Sequence, residues 1–141
     1  MTVAAGEELA AGTVTWLAQA SFAPPLLMVG VRADSRLHEL VARRGAFAIN
    51  VPAGHQKDVA SAFFRPSQVQ PGTINGYAYE PGPETGAPLL RDLPAWLEAR
   101  VTDQVRRGDH TVFVAEVINA GLRHPDAAPL RLSDTHWSYG G

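Results

Sequence analysis

Between Pro94 and Ala120 two long alternating runs are separated only by Arg107-Gly108-Asp109. In the first, Trp96, Glu98, Arg100 and Thr102 alternate with Leu97, Ala99 and Val101. In the second, Val112, Val114, Glu116 and Ile118 recur at every other position. A period of two places successive side chains on opposite faces of an extended chain. Gly and Asp are the residues that a tight reversal favours. The segment predicts a long antiparallel hairpin. Arg107-Gly108-Asp109 also matches an adhesion tripeptide, but its place in a tight turn explains it without that role.

Dense punctuation, with 13 Gly and 11 Pro, cuts the remainder into short elements. Val3–Ala5 reads as a short strand. Thr13–Ala20 is rich in β-branched and aromatic residues and reads as another. After Pro24-Pro25, the apolar run Leu26–Val31 reads as a strand buried on both faces. A helix follows, capped by Asp34 or Ser35. Leu37, Leu40 and Val41 sit at helical spacing, Arg43-Arg44 lie in the last turn, and Gly45 stops it. Ala46–Val51 is a buried strand, and His55–Phe64 a second helix ended by Arg65-Pro66. Ser67–Gly76 reads as a long polar loop. Leu130–Leu132 and Trp137–Tyr139 read as short extended pieces. Six or more strands against two helices predict a mainly β fold, a small barrel with helices plugging or flanking it.

A chain of 141 residues suits one domain, 1–141, and buries roughly two thirds of its unfolded surface without a staple. The absence of Cys removes thiol catalysis, iron–sulfur clusters and thiolate zinc sites. Five histidines lack ligand spacing, so no metal is expected. His38-Glu39 opens like a zinc-protease helix, but Ala42 stands where the second His is required. Gly82–Gly86 is followed by no Lys-Ser or Lys-Thr helix and is not a phosphate loop. A net charge of −2 gives no field for nucleic acid or an anionic membrane. The N-terminus has neither a basic nor an apolar leader region, which makes the cytoplasm the expected location.

Two segments suit a ligand. At Arg32–His38 a strand end meets a helix start. Free backbone N–H groups, Arg32, Ser35 and His38 converge there, as a phosphate requires. Ser35 equally suits a plain cap, and caps are commoner than ligand sites. Thr13, Thr15 and Gln19 could hydrogen-bond the edge of a planar heterocycle, or belong to an ordinary amphipathic strand. His110, directly after the turn, could donate a hydrogen bond or simply be exposed.

In order along the chain stand Thr13-Val14-Thr15-Trp16, Gln19-Ala20-Ser21-Phe22-Ala23-Pro24-Pro25 and Arg32-Ala33-Asp34-Ser35-Arg36-Leu37-His38. Gly45-Ala46-Phe47-Ala48-Ile49-Asn50-Val51 and Gly108-Asp109-His110 follow. From about residue 10 to the end, this set resembles the flavin reductase-like, FMN-binding split-barrel family. The resemblance implies an antiparallel Greek-key split barrel with two or so flanking helices, and a homodimer with FMN near the interface. It implies that Thr13, Val14, Thr15, Trp16 and Ser21 contact or flank the isoalloxazine. Arg32, Ala33, Ser35 and His38 then hold the phosphate, and His110 places the nicotinamide. Ala10 stands near the place where relatives often carry Asn, which implies that one flavin-edge hydrogen bond is lost or replaced by backbone. Relatives also have a longer first strand, which implies a weaker barrel edge and flavin pocket here.

The activity implied is hydride transfer from NADH or NADPH to FMN, with the flavin carrying the chemistry and the protein orienting it. Two alternatives are an FMN-binding electron carrier without nicotinamide turnover, and a barrel retained as an interaction module without flavin.

Overall fold

The computed structural model describes residues 1–138. In chain order the elements are β1 (Thr2–Ala5), β2 (Glu8–Ala11), β3 (Leu17–Ser21), β4 (Leu26–Arg32), α1 (Arg36–Arg44), β5 (Ala46–Val51) and α2 (Lys57–Ala62). Then come β6 (Val69–Gln70), β7 (Thr73–Ile74), β8 (Tyr77–Pro81), β9 (Pro88–Leu90), β10 (Ala95–Arg107), β11 (His110–Leu122) and a 3-10 turn at Leu132–Asp134. One sheet has the order β2-β1-β5-β10-β11-β4-β3, and a smaller one runs β6-β7-β8-β9. All pairings are antiparallel. The fold is the mainly β split barrel expected. Neither helix is long and apolar enough to cross a membrane.

The predicted hairpin is the spine of the large sheet. It pairs from Ala95↔Leu122 to Arg107↔His110, with irregularities after Glu98 and Val101. Gly108 takes φ 67° in the turn, a conformation that costs glycine little. Helix α1 plugs the barrel. Ser35 caps it by accepting the His38 N–H, and Gly45 closes it in the left-handed conformation with its N–H on the Val41 carbonyl (2.8 Å). Leu37, Leu40 and Val41 drive into a core of Val3, Val29, Phe47, Ile49 and Phe113.

Four expectations change. Thr13–Trp16 lie outside any strand, and only Leu17–Ser21 join the sheet. The β-branched residues suit a ladder, but here the stretch bonds to scattered partners instead. β4 is not buried on both faces: Leu27, Val29 and Val31 are buried, but Met28 is 42% exposed on the outer side. Ser67–Gly76 is not a plain loop, since β6 and β7 pair within it. Leu130–Leu132 is not a strand; an isolated bridge forms at Ala53↔Pro129, and Leu132 starts the 3-10 turn. Trp137 is described, whereas Tyr139 lies outside the described residues. At the other end, β1 pairs along its length with β2, and Ala10 is buried in the core.

Candidate functional site

A large open cavity of about 1020 Å³ lies between the Gly12–Thr15 stretch, the end of β4, the start of α1, α2 and the C-terminal segment. Its inner wall is the stretch that precedes β3. Gly12 N–H bonds the Met1 carbonyl (3.0 Å), and Thr13 N–H bonds the Phe63 carbonyl (3.3 Å). The Thr13 hydroxyl donates to the Ala60 carbonyl at 2.5 Å. Thr13 is therefore a brace between this wall and α2. Thr15 differs: its Oγ1 is buried and has no hydrogen-bond partner among the described residues. A buried hydroxyl left unpaired costs about 1–3 kcal/mol, which sets Thr15 apart from the other polar residues of the wall.

The α1 end of the cavity carries the charge. Arg32 makes a two-pronged contact with Asp34, Nε to Oδ1 at 2.6 Å and Nη2 to Oδ2 at 2.8 Å. That guanidinium holds the Asp34 carboxyl below the usual carboxylate range. The Ser35 hydroxyl accepts the His38 N–H (3.1 Å) and donates to the Arg32 carbonyl (2.7 Å). It is a cap that also lines the cavity. Arg36 and Leu37 open the first helical turn, where backbone N–H groups have no intrahelical partner.

The sequence-derived residues separate into groups. Thr13, Val14, Thr15, Arg32 and Ser35 share the cavity. Trp16 does not line it: the side chain folds over Gly30, where an added Cβ would sit 3.0 Å from Trp16 Cε3. Trp16 stacks on His110 with centroids 4.5 Å apart and planes tilted by 38°. Ser21 ends β3 and stands apart from the lining. The Ala33 N–H is committed to the Asp109 carbonyl (2.8 Å). The His38 ring turns inward, with Nε2 2.8 Å from Thr111 Oγ1 and the ring against Phe113. Burial and the Arg106 charge lower its pKa. The helix period that brings Leu37 and Val41 inward carries His38 with them.

His110 and Arg32, which the sequence separates by most of the chain, face each other across the β4–β11 ladder. His110 Nδ1–H donates to Asp109 Oδ1 at 2.9 Å, an interaction that also lowers the Asp109 pKa. Residues 1–140 match the family model described as flavin reductase like domain.

The chain belongs to the flavin reductase-like family.

Among curated relatives, it is 34% identical over 121 residues to "Flavin reductase (NADH)" of Kitasatospora aureofaciens. That match covers 83% of this chain and 62% of that protein. It is 35% identical over 115 residues to "NADH-dependent flavin reductase StyB" of Pseudomonas fluorescens, covering 82% and 64%. The chain thus spans less than two thirds of these relatives' length. Among solved structures, NADH:FAD oxidoreductase SgcE6 of Streptomyces globisporus C-1027 superposes with a TM-score of 0.79 at 29% identity. The superposition covers 91% of this chain and 76% of that one.

Several lining residues of this family member escaped the sequence reading. Arg65, Arg131 and Trp137 reach the cavity from α2's far end and from the C-terminal segment. No local pattern signals them, because only the tertiary fold brings 64–65 beside 131–137.

The sequence also placed Glu98 in a plain alternation. It is fully buried and accepts from Thr85 N (2.8 Å), Thr85 Oγ1 (2.7 Å) and Asn119 Nδ2 (3.0 Å). The Gly82–Gly86 loop closes over the protein's own Glu98 carboxyl group.

Proposed function

We propose that this chain is an FMN-binding oxidoreductase domain that passes hydride from NADH or NADPH to flavin held in the cavity. The observation that carries this reading is the buried, unpartnered Thr15 hydroxyl on the cavity wall. It is a polar group without a hydrogen-bond partner among the described residues, on a residue that lines the cavity. Relatives named as NADH-dependent flavin reductases support the reading, as does SgcE6 solved with NAD and FAD fragments.

When bound, the flavin supplies a ring that accepts a hydride. Thr15 bonds the ring's edge, Val14 contributes apolar surface, and Thr13 fixes the wall to α2. Ser21, at the end of β3 and apart from the cavity lining, takes no part in this site. The first-turn N–H groups of α1 and Arg32 hold the phosphate, in competition with Asp34 for the guanidinium. Ala33 and Ser35 shape that corner, the first through its tie to Asp109 and the second as the helix cap. His38 keeps α1 in register from within the core. Asp109 fixes the His110 ring, and His110 positions the nicotinamide once Trp16 turns aside.

We also infer a cytoplasmic homodimer. On the outer sheet face Ala18, Met28, Val112 and Val105 form an apolar band, with Met28, Val112 and Val105 42%, 37% and 57% exposed. A second copy would cover it and bring its own chain close to Trp16. A second reading, an electron carrier inert to nicotinamide, is favoured by His110, only 8% exposed beneath Trp16.

The test is the visible spectrum of the purified protein with FMN, before and after anaerobic addition of NADH or NADPH. A flavin band that bleaches supports hydride transfer and identifies the donor. A band that persists supports the carrier. A protein that takes up no flavin sinks both.

A further inference from the structure

The positive charge of the cavity is unevenly neutralised. Four arginines reach it, Arg32, Arg36, Arg65 and Arg131. Arg32 is held by Asp34, and Arg36 pairs with Glu8 and Glu39. Arg65 and Arg131 have no ion pair among the described residues. The nearby Asp134 carboxylate accepts the backbone N–H of Arg131 at 3.2 Å.

These two cations share one end of the cavity with two aromatic rings. Phe64 precedes Arg65 and meets Trp137 edge to face, with centroids 5.0 Å apart. Lys57 Nζ donates to the Asp134 carbonyl at 2.6 Å, a second tie between α2 and the C-terminal segment. Phe64 is 57% exposed, and both rings line the cavity.

The other end is fixed by β4. The Thr13 N–H is held by Phe63, and the Trp16 carbonyl accepts the Gly30 N–H at 2.8 Å. The Thr13–Trp16 wall therefore runs from α2 to β4. Four extended residues span at most about 13 Å. Arg32 and Arg36 stand at one end of that wall, and Arg65 and Arg131 at the other.

FMN has one phosphate, which the α1 end takes. A second cationic end with open aromatic rings has the chemistry to hold another phosphate that carries a flat base. We propose that Arg65 and Arg131, with Phe64 and Trp137, form a subsite for the adenylate half of a pyrophosphate-linked dinucleotide. The subsite rests on the flavin reading of the cavity. FAD and NADH both carry an adenylate half, and the experiment separates them.

The wild type and R65A/R131A are titrated with FMN and with FAD, and the KM for NADH is measured with FMN as acceptor. The FMN Kd should stay within about twofold. The FAD Kd, the NADH KM or both should rise roughly tenfold, as expected when charge-assisted contacts at a solvated mouth are lost. The loss should shrink at high salt and be partly restored in R65K/R131K. A rise for FAD alone assigns the subsite to flavin, and a rise for NADH alone assigns it to the donor. The subsite is overturned if neither changes, or if FMN binding falls by the same factor. A wild type that binds no FMN would instead overturn the cavity reading itself.

Discussion

Thr15 is the residue whose state in the folded chain is least comfortable. Its hydroxyl has lost water and gained nothing among the described residues. Thr15→Val removes the hydroxyl at almost constant size. It should raise the stability of the ligand-free protein by about 1 kcal/mol, seen as a thermal midpoint a few degrees higher, while weakening FMN binding several-fold. A variant that loses both stability and affinity would mean that Thr15 is a packing residue. Arg32→Ala should weaken FMN binding about tenfold or more and riboflavin binding by about twofold at most, since only FMN carries the phosphate. Equal losses for the two ligands would remove Arg32 from the phosphate site. At this scale the sequence was legible in part. Thr13, Thr15, Arg32 and Ser35 could be picked out by type and order. It could not reveal that Thr13 spends its hydroxyl on Ala60, that Ser35 spends its own on a cap, or that His38 points inward. Those outcomes depend on partners up to 73 residues away.

Elements with a strong period were the readable ones. The hairpin shows its alternation, and α1 shows its apolar stripe between a Ser cap and a Gly stop. Segment 77–90 was not readable, because short strands broken by Pro and Gly carry too few residues to show a period. That segment matters, since its Gly82–Gly86 loop closes over Glu98. Glu98→Ala would strand four donors, the N–H groups of Glu84 and Thr85, the Thr85 hydroxyl and the Asn119 amide, and open a void. It should destabilise the protein by about 3 kcal/mol, measurable by urea unfolding. Little change would mean that water replaces the carboxylate there. Helix α1 carries a pH dependence through His38. Its pKa is lowered from 6.5 in the folded state, so the unfolded chain binds the proton more readily. Stability from this group is complete above about pH 7 and falls as pH drops below about 6.5. The carboxyls of Asp34, Glu39 and Asp109 are also lowered, but they act only at more acidic pH, below about 4.5. The buried Met1 amino group, lowered from 8.0 to about 5, acts in the same direction, so the thermal midpoint should fall between pH 7.5 and 5.5, and His38→Gln should reduce that slope without abolishing it. An unchanged slope in the variant would assign it to another group.

For the whole molecule, the exposed apolar band on the large sheet is the feature a single chain leaves unexplained. Val112→Arg places a charge in its centre, away from the core. The wild type should sediment at twice the chain mass of 15.1 kDa, and the variant at the chain mass with an unchanged circular dichroism spectrum. A wild type that sediments as a monomer would remove the dimer. The mainly β architecture was legible from pattern and turn residues alone. The cavity was not, because it is lined by several separate stretches of chain that no local rule brings together.

One peptide bond joins the residue that faces the cavity to the residue that covers His110. Thr15 lines the cavity, and Trp16 lies over Gly30 and the His110 imidazole. A shift of the Thr15 backbone bears directly on the Trp16 cover, whose carbonyl is tied to the Gly30 N–H. Under the proposed reading, the residue that meets the flavin and the cover of the nicotinamide position are adjacent links of one chain, so a change at either reaches the other through a single peptide unit.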